Sequence, residues 1–437
     1  MKNRTVNTFK ISNFINEEAY GGIILIFATI AALIWANSAF YESYHNLWHE
    51  LKVGFVWGEI NLVGSLHHWI NDGLMALFFF TIGLEIKREI MGGELSSMKK
   101  ASMPIAAAIG GMLIPAAVYA LVLVNHPEYL DGWGIPMATD IAFALGLLAL
   151  LGSRVNINLK IFLTALAIAD DLGAVLVIAI FYTDAINFSE LISAGFFIGI
   201  LIIANLAGVR KTAFYAFIGF AGVWMAFVFS GVHATIAGVL IALTIPARTK
   251  ISEKEYIGKF KNYINKFKKE QPNDNPLLTK EQVHIIAEIE ELNEQGQTPL
   301  QKLEHALHPI VAFFILPFFA LSNAGVHIEG SVIEMLLHPI SLGIIAGLVL
   351  GKFLGISLLS HITVWLKIAS LPEGVSWKQI YGVAFLAGIG FTMSMFISDL
   401  AFADEEFKQI AKVGIMAASF ISATIGMIWL SWGTKKS

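Results

Sequence analysis

The stretch Thr164-Ala165-Leu166-Ala167-Ile168-Ala169-Asp170-Asp171-Leu172-Gly173 sets two adjacent carboxylates in the middle of an apolar run from 157 to 182. A run of that length spans a bilayer core of about 30 Å as one helix. Asp170 lies thirteen residues after Ile157, about 20 Å along a helix and far from either surface. A carboxylate arm is too short to reach the interface from there, and an ionisable group in hydrocarbon costs several kcal/mol unless it is paired or used. Neighbouring helix positions diverge by about 100°, so the pair addresses two adjacent cavities or one wide one. The small residues Ala165, Ala167, Ala169, Gly173 and Ala174 let other helices and water approach. The plain alternative is structural, with both carboxylates bonded to other helices, although two in a row exceed what such a joint needs.

Outside this stretch the composition is that of a membrane protein. Of 437 residues, 56% are apolar and 14% charged, against roughly 45–50% and 25% in soluble domains. Cysteine is absent and the net charge is −4, which excludes disulfides and thiol chemistry and gives no indication of a nucleic-acid partner. A ruler of about 20 apolar residues finds twelve spans, near 19–37, 66–86, 101–124, 130–151, 157–182, 189–208, 212–229, 231–247, 306–323, 341–363, 380–402 and 409–431. The first is too long for the apolar part of a signal peptide and follows eighteen other residues. Alternate connections carry fifteen Lys and Arg on one side, with ten more in 248–304, against only Lys52 and Lys408 on the other. Basic residues mark the cytoplasmic side, so both termini are expected there.

The chain thus divides into a cytoplasmic N-terminus (1–18), spans one to eight (19–247) with an external connection at 38–65, a cytoplasmic helical insertion (248–304), spans nine to twelve (305–431) and a cytoplasmic tail (432–437). Within the external connection, 53–62 has the Gly and β-formers of a hairpin. In the insertion, Tyr256, Ile257, Phe260, Tyr263, Ile264 and Phe267 recur at helical spacing among lysines, as in an amphipathic helix lying on the bilayer. The alternative is that this stripe packs on the protein itself. A second helix is expected from the capping box Thr279–Gln282 to Gly296, and Thr298-Pro299 caps the approach to the ninth span.

Two more charges sit where lipid should be. Lys352 lies eleven residues into the tenth span, beside Gly343, Gly347, Gly351 and Gly355, whose spacing makes a smooth packing face. It needs a carboxylate partner, and Asp170 or Asp171 are the candidates; a purely structural ion pair is compatible with either. Asp140 follows Pro136 in the fourth span, and the eleventh contains Gly388-Ile389-Gly390-Phe391-Thr392. Both segments weaken a helix, and freed backbone groups at that depth must be paired or line a cavity. They are seven spans apart, so their three-helix units run in opposite directions, the arrangement of inverted-repeat transporters. Half-helix ends are positive at N-termini and negative at C-termini, so Asp140 could neutralise the first kind and Lys352 the second.

The segments 164–173 and Ala138-Thr139-Asp140 resemble NhaA-type sodium/proton antiporters. So do Ser230-Gly-Val-His233-Ala-Thr-Ile-Ala-Gly238, Leu303-Glu304-His305-Ala-Leu-His308-Pro309, Asn71–Ala76, Gly83–Arg88, Gly351-Lys352 and Gly388–Ser394. The likeness runs from about 12 to 431, interrupted at 250–298, where familiar members have a short connection. The resemblance implies an all-α polytopic protein of the bacterial inner membrane. It would have about twelve transmembrane helices, inverted three-helix repeats and two interrupted, crossing helices, the fourth and eleventh. It would exchange cytoplasmic Na⁺ or Li⁺ for periplasmic H⁺, with no cofactor and no enzyme activity. Asp171 would be the principal metal ligand; Asp170 would share that role, pair with Lys352 and gate access, while Asp140 and Thr139 complete the crossing. A homodimer joined through the hairpin is also implied.

The exchange follows from chemistry as well. A small hard cation needs several oxygen ligands and binds only deprotonated carboxylates, so Na⁺ and H⁺ compete for one site. If Lys352 also releases a proton, more than one proton moves per Na⁺, and exchange is electrogenic. Glu85 and Glu89 end the second span, and Glu304, His305 and His308 begin the ninth. The resemblance makes them a pH sensor, with helix-end electrostatics as the plain alternative. His233 is a hydrogen-bonded packing residue or a further pH-responsive one, and His67-His68 is an interfacial pair. The rival functions are a passive sodium channel and, more remotely, an intramembrane aspartyl protease, against which the neighbouring Lys352 argues.

Overall fold

The computed structural model describes residues 4–57, 60–183, 186–270, 277–328 and 330–433. Lys2, Lys435 and Lys436 of the charge count, and the hairpin tip at 58–59, lie outside these residues. In chain order the elements are α1 (Arg4–Ala36), the strands β1 (Lys52–Trp57) and β2 (Ile60–Ser65), α2 (Leu66–Gly92), α3 (Met98–Val122), α4 (Pro127–Met137), α5 (Ile141–Leu150), α6 (Ile157–Phe181), α7 (Phe188–Leu206), α8 (Thr212–Ser230) and α9 (Ala234–Thr244). There follow α10 (Glu253–Lys269), α11 (Lys280–Gly296), α12 (Pro299–Asn323), α13 (Pro339–Trp365), α14 (Trp377–Leu386), α15 (Phe391–Ala401) and α16 (Glu405–Gly433).

Eight helices among the described residues are long and apolar enough to cross a membrane, and the bent pairs α4–α5 (48°) and α14–α15 (47°) raise the number to ten. The shorter apolar helices Tyr20–Ala36 and Ala234–Thr244 occupy the places expected for the first and eighth spans. The protein is therefore an all-α polytopic membrane protein whose fourth and eleventh spans are interrupted. The largest departure from the expected boundaries is at the start: α1 begins at Arg4, well before residue 19, because no Gly or Pro interrupts 4–20.

Local chemistry sets the helix starts. Ser65 accepts the His68 N–H at 3.1 Å, Asn156 the Asn158 N–H at 3.0 Å and Thr298 the Gln301 N–H at 3.1 Å. Glycines set the closest helix pairs. Gly343, Gly347, Gly351 and Gly355 of α13 lie along α3. Where Gly110 meets Gly355, a Cβ on either would stand 2.1 or 2.0 Å from the other's carbonyl oxygen. A widened, π-helical turn over Ala346–Gly351 then delivers Lys352. In a second close pair, Gly83 of α2 rests on Val239 and Ala242 of α9, and α1 wedges between α12 and α5 through Gly21 on Ala312 and Gly22 on Ala142.

The β1–β2 hairpin pairs from Lys52↔Ser65 to Trp57↔Ile60. The insertion forms a helical hairpin, in line with the alternative reading in which the stripe packs on the protein itself. Tyr256 donates to Asn293 Oδ1 at 2.6 Å and covers Gly296, and Lys266 faces Glu288. Tyr256, Phe260, Tyr263, Ile264 and Phe267 are half-buried, and only Ile257 of the stripe is exposed. The apolar face of α10 is used against α11, which offers Ile285 and Leu292 as buried partners.

Candidate ion-binding site

Asp140 is the N-cap of α5, and its Oδ1 accepts the Phe143 N–H at 2.9 Å. Its Oδ2 accepts from the backbone N–H (3.1 Å) and the hydroxyl (2.5 Å) of Thr392, in the first turn of α15. One carboxylate thus serves the positive ends of two half-helices that meet in the membrane interior, where charge-assisted bonds are strongest. The crossing is tied in the opposite sense too. Asp140 N–H donates to Ile389 O at 2.7 Å, Thr139 Oγ1 to Ala387 O at 2.8 Å, and Ser394 Oγ to Ile135 O at 2.8 Å. The carbonyl ends are therefore met by hydroxyl and N–H donors, and Lys352 goes elsewhere.

Lys352 Nζ donates to Asp170 Oδ2 at 2.5 Å, with both side chains almost fully buried. A buried ion pair survives because removing either partner strands the other charge. Asp171, one residue on and rotated away from Lys352, has no such partner: both its carboxylate oxygens are buried without a hydrogen bond among the described residues. It lines a cavity of about 50 Å³ with Thr139, Asp140 and Thr392 from the crossing, Thr81 and Glu85 from α2, and His308 from α12. That volume accommodates a water-sized guest. A buried carboxylate left without a donor is costly, and hydroxyl and carboxylate oxygens around it are the ligands a small hard cation takes.

Of the residues singled out in the sequence, Asp140, Thr139, Asp170, Asp171 and Lys352 are brought together. Glu85 and His308 join the cavity lining. Glu89 and Glu304 sit nearby through Arg88, which reaches them at 2.6 and 2.7 Å. His305 is exposed, and His233 contacts the Tyr182 carbonyl at 2.5 Å, so neither lines the cavity. Sequence reasoning missed Thr392 as a partner of Asp140 and Arg88 as the bridge between two glutamates. Thr392 was legible only as part of a helix break, and a basic residue at a helix end reads as an ordinary interfacial anchor.

Comparison with known proteins gives this arrangement its context. The family model described as Na⁺/H⁺ antiporter 1 matches residues 12–430. The chain is 51% identical over 411 residues to the Na⁺/H⁺ antiporter NhaA of Oleidesulfovibrio alaskensis, covering 94% of this chain and 90% of that protein. It is 49% identical over 420 residues to NhaA 1 of Psychromonas ingrahamii, covering 96% and 95%. With NhaA of Acidithiobacillus ferrooxidans it shares 48% over 426 residues, 97% of each chain. A polytopic helical fold with two crossing broken spans, matched along nearly its whole length in this way, belongs to the Na⁺/H⁺ antiporter 1 family.

Proposed function

We propose that this protein exchanges cytoplasmic Na⁺ or Li⁺ for periplasmic H⁺ across the bacterial inner membrane by alternating access. The observation that carries the reading is Asp171, a fully buried carboxylate without a hydrogen bond among the described residues, set in a small cavity among hydroxyl and carboxylate oxygens. A cation satisfies that carboxylate directly, and a proton satisfies it by neutralising it, so each expels the other. Asp140 holds the two broken helices together beneath the cavity, and Thr139 and Thr392 supply hydroxyl oxygens to its wall.

Asp170 and Lys352 form the second half of the mechanism. When Na⁺ draws Asp170 away from Lys352, the ammonium loses its counter-charge in a low-dielectric interior and releases a proton. More than one proton then moves per Na⁺, and the exchange is electrogenic. Glu85, Glu89, Glu304, His305 and His308 make the cytoplasmic approach pH-responsive. Protonated His308 places a positive charge on the cavity wall and opposes cation binding, so transport falls as the cytoplasm acidifies. The basic connections put both termini in the cytoplasm. Among the described residues the β1–β2 hairpin pairs with no third strand, which leaves strand edges suited to joining two copies as a homodimer.

The test is a vesicle assay. Everted membrane vesicles with an acid interior and a pH-sensitive dye are challenged with Na⁺, Li⁺ or K⁺. Alkalinisation of the interior on adding Na⁺ or Li⁺ is the expected result. Cation uptake without proton movement would identify a channel, and no response to any cation would remove the antiport reading.

A further inference from the structure

The end of the molecule opposite Glu85 and His308 is shut by two layers. The inner layer is aromatic: Phe396 of α15 packs against Phe79 of α2 at 5.6 Å and against Phe319 of α12 at 6.3 Å, and all three are almost completely buried. The outer layer is polar and centres on Asp399, two turns beyond the crossing on α15. Its Oδ1 lies 3.1 Å from Lys412 Nζ of α16, with the two side chains 7% and 12% exposed. Its Oδ2 accepts from Asn71 Nδ2 at 3.1 Å and faces His67 Nε2 at 3.5 Å, both on α2. Asn71 and Asn323 of α12 exchange amide contacts at 3.0 and 3.5 Å, and His67 also bonds Asn323 at 3.0 Å.

These contacts divide unequally. Asp399 and Lys412 belong to α15 and α16, which pack on each other and on the crossing; Asn71, His67 and Asn323 belong to α2 and α12. The ion pair is internal to one helix group, and the bonds to Asn71 and His67 run between groups. A buried aspartate with its counter-charge beside it is more than packing requires at a helix end, yet it is suited to holding a strong, directional bond across a seam that must part and reform. We propose that Asp399 is the latch of the closed outer gate, gripping α2 through Asn71 and His67 while Lys412 supplies its counter-charge. This rests on the alternating-access reading above. The latch stabilises the state whose cavity faces Glu85 and His308, and releasing it shifts the protein toward the state open at the outer end.

Two experiments test it. Asn71→Ala leaves the Asp399–Lys412 pair intact and removes one bond across the seam. In reconstituted vesicles the equilibrium between the two states moves about fivefold to tenfold toward the outer-open one, and the half-saturating Na⁺ concentration at the inner face rises by up to that factor as the competent state is depleted, while the maximal exchange rate is unchanged. Asp399→Asn gives the same split, and the charge exchange Asp399→Lys with Lys412→Asp does not restore it, because the acceptor facing Asn71 is gone. An unchanged half-saturation in both single variants, or a loss confined to maximal rate, would overturn the proposal. The second experiment uses the absence of native cysteine. In the variant carrying Asn71→Cys and Asp399→Cys, a cross-link forms in the resting protein, read by mass. It stops exchange at least tenfold, and reductant restores exchange. No cross-link, or full exchange with the cross-link in place, would overturn the proposal. If the wild-type vesicles themselves move no protons on Na⁺ addition, the antiport reading fails instead, and the cross-linking yield still reports whether α2 and α15 are held together.

Discussion

The two sides of α6 at its midpoint carry the same side chain in opposite circumstances. Asp170 closes its side with a bond to Lys352, whereas Asp171 opens the other side to a cavity with both oxygens unpartnered among the described residues. A step of about 100° around a helix is enough to separate a paired group from an available one. On the proposed reading, the difference teaches that burial alone does not single out the ion carrier. The mark is burial without a partner, beside oxygens that a cation accepts and a proton does not need.

Changes at three positions, Asp171, Lys352 and Thr392, break or sharpen that contrast, in falling order of effect. Asp171→Asn keeps the shape of the cavity and removes its charge; Na⁺-driven proton movement in everted vesicles should drop at least a hundredfold with the protein still inserted and folded. Next is Lys352→Ala, which leaves Asp170 charged and unpaired and should destabilise the protein by about 3–5 kcal/mol, seen as a lowered thermal transition in detergent. Asp170→Asn combined with Lys352→Met should recover most of that stability without recovering normal exchange, separating the structural use of the pair from its transport use. Third, Thr392→Val removes one hydroxyl bond to the Asp140 carboxylate, about 1.5–3 kcal/mol, and should weaken Na⁺ binding as well as stability.

A separate test lies outside the membrane, at His49 in the segment Asn46–Glu50. Burial, and then the charges of His67, Lys412 and His45, hold its imidazole down at about 4 against an ordinary 6.5. The folded protein keeps His49 neutral where the unfolded chain would protonate it. Its contribution is therefore full above pH 6.5 and is lost as pH falls toward 4. Thermal unfolding of His49→Gln should show a flatter decline between pH 7 and pH 5 than the wild type; an identical decline would remove His49 from the account.

The sequence made much of this architecture legible because lipid leaves few options. Apolar runs gave the spans, and the charges retained within them, Asp140, Asp170, Asp171 and Lys352, stood out against hydrocarbon. Helix breaks at Pro136 and at Gly388-Ile389-Gly390 were readable from residue type, but which residue from the second break would meet Asp140 was not. Thr392 is assigned only by the register in which two half-helices cross. Asp399 escaped notice because it lies at the edge of an apolar run, where a charge reads as interfacial, and its partners come from residues 67, 71 and 412. The stripe on α10 has the pattern of a membrane-surface helix, and nothing in its own sequence says that α11 will cover it.

The most direct test of the central claim measures equilibrium Na⁺ binding to the purified protein as a function of pH, for the wild type and Asp171→Asn. If Na⁺ and H⁺ compete for Asp171, half-saturation should shift about tenfold per pH unit while that carboxyl is protonated, and more steeply where Lys352 releases its proton too; Asp171→Asn should show no saturable binding at any pH. Saturable binding that ignores pH, or that persists in Asp171→Asn, would contradict the account.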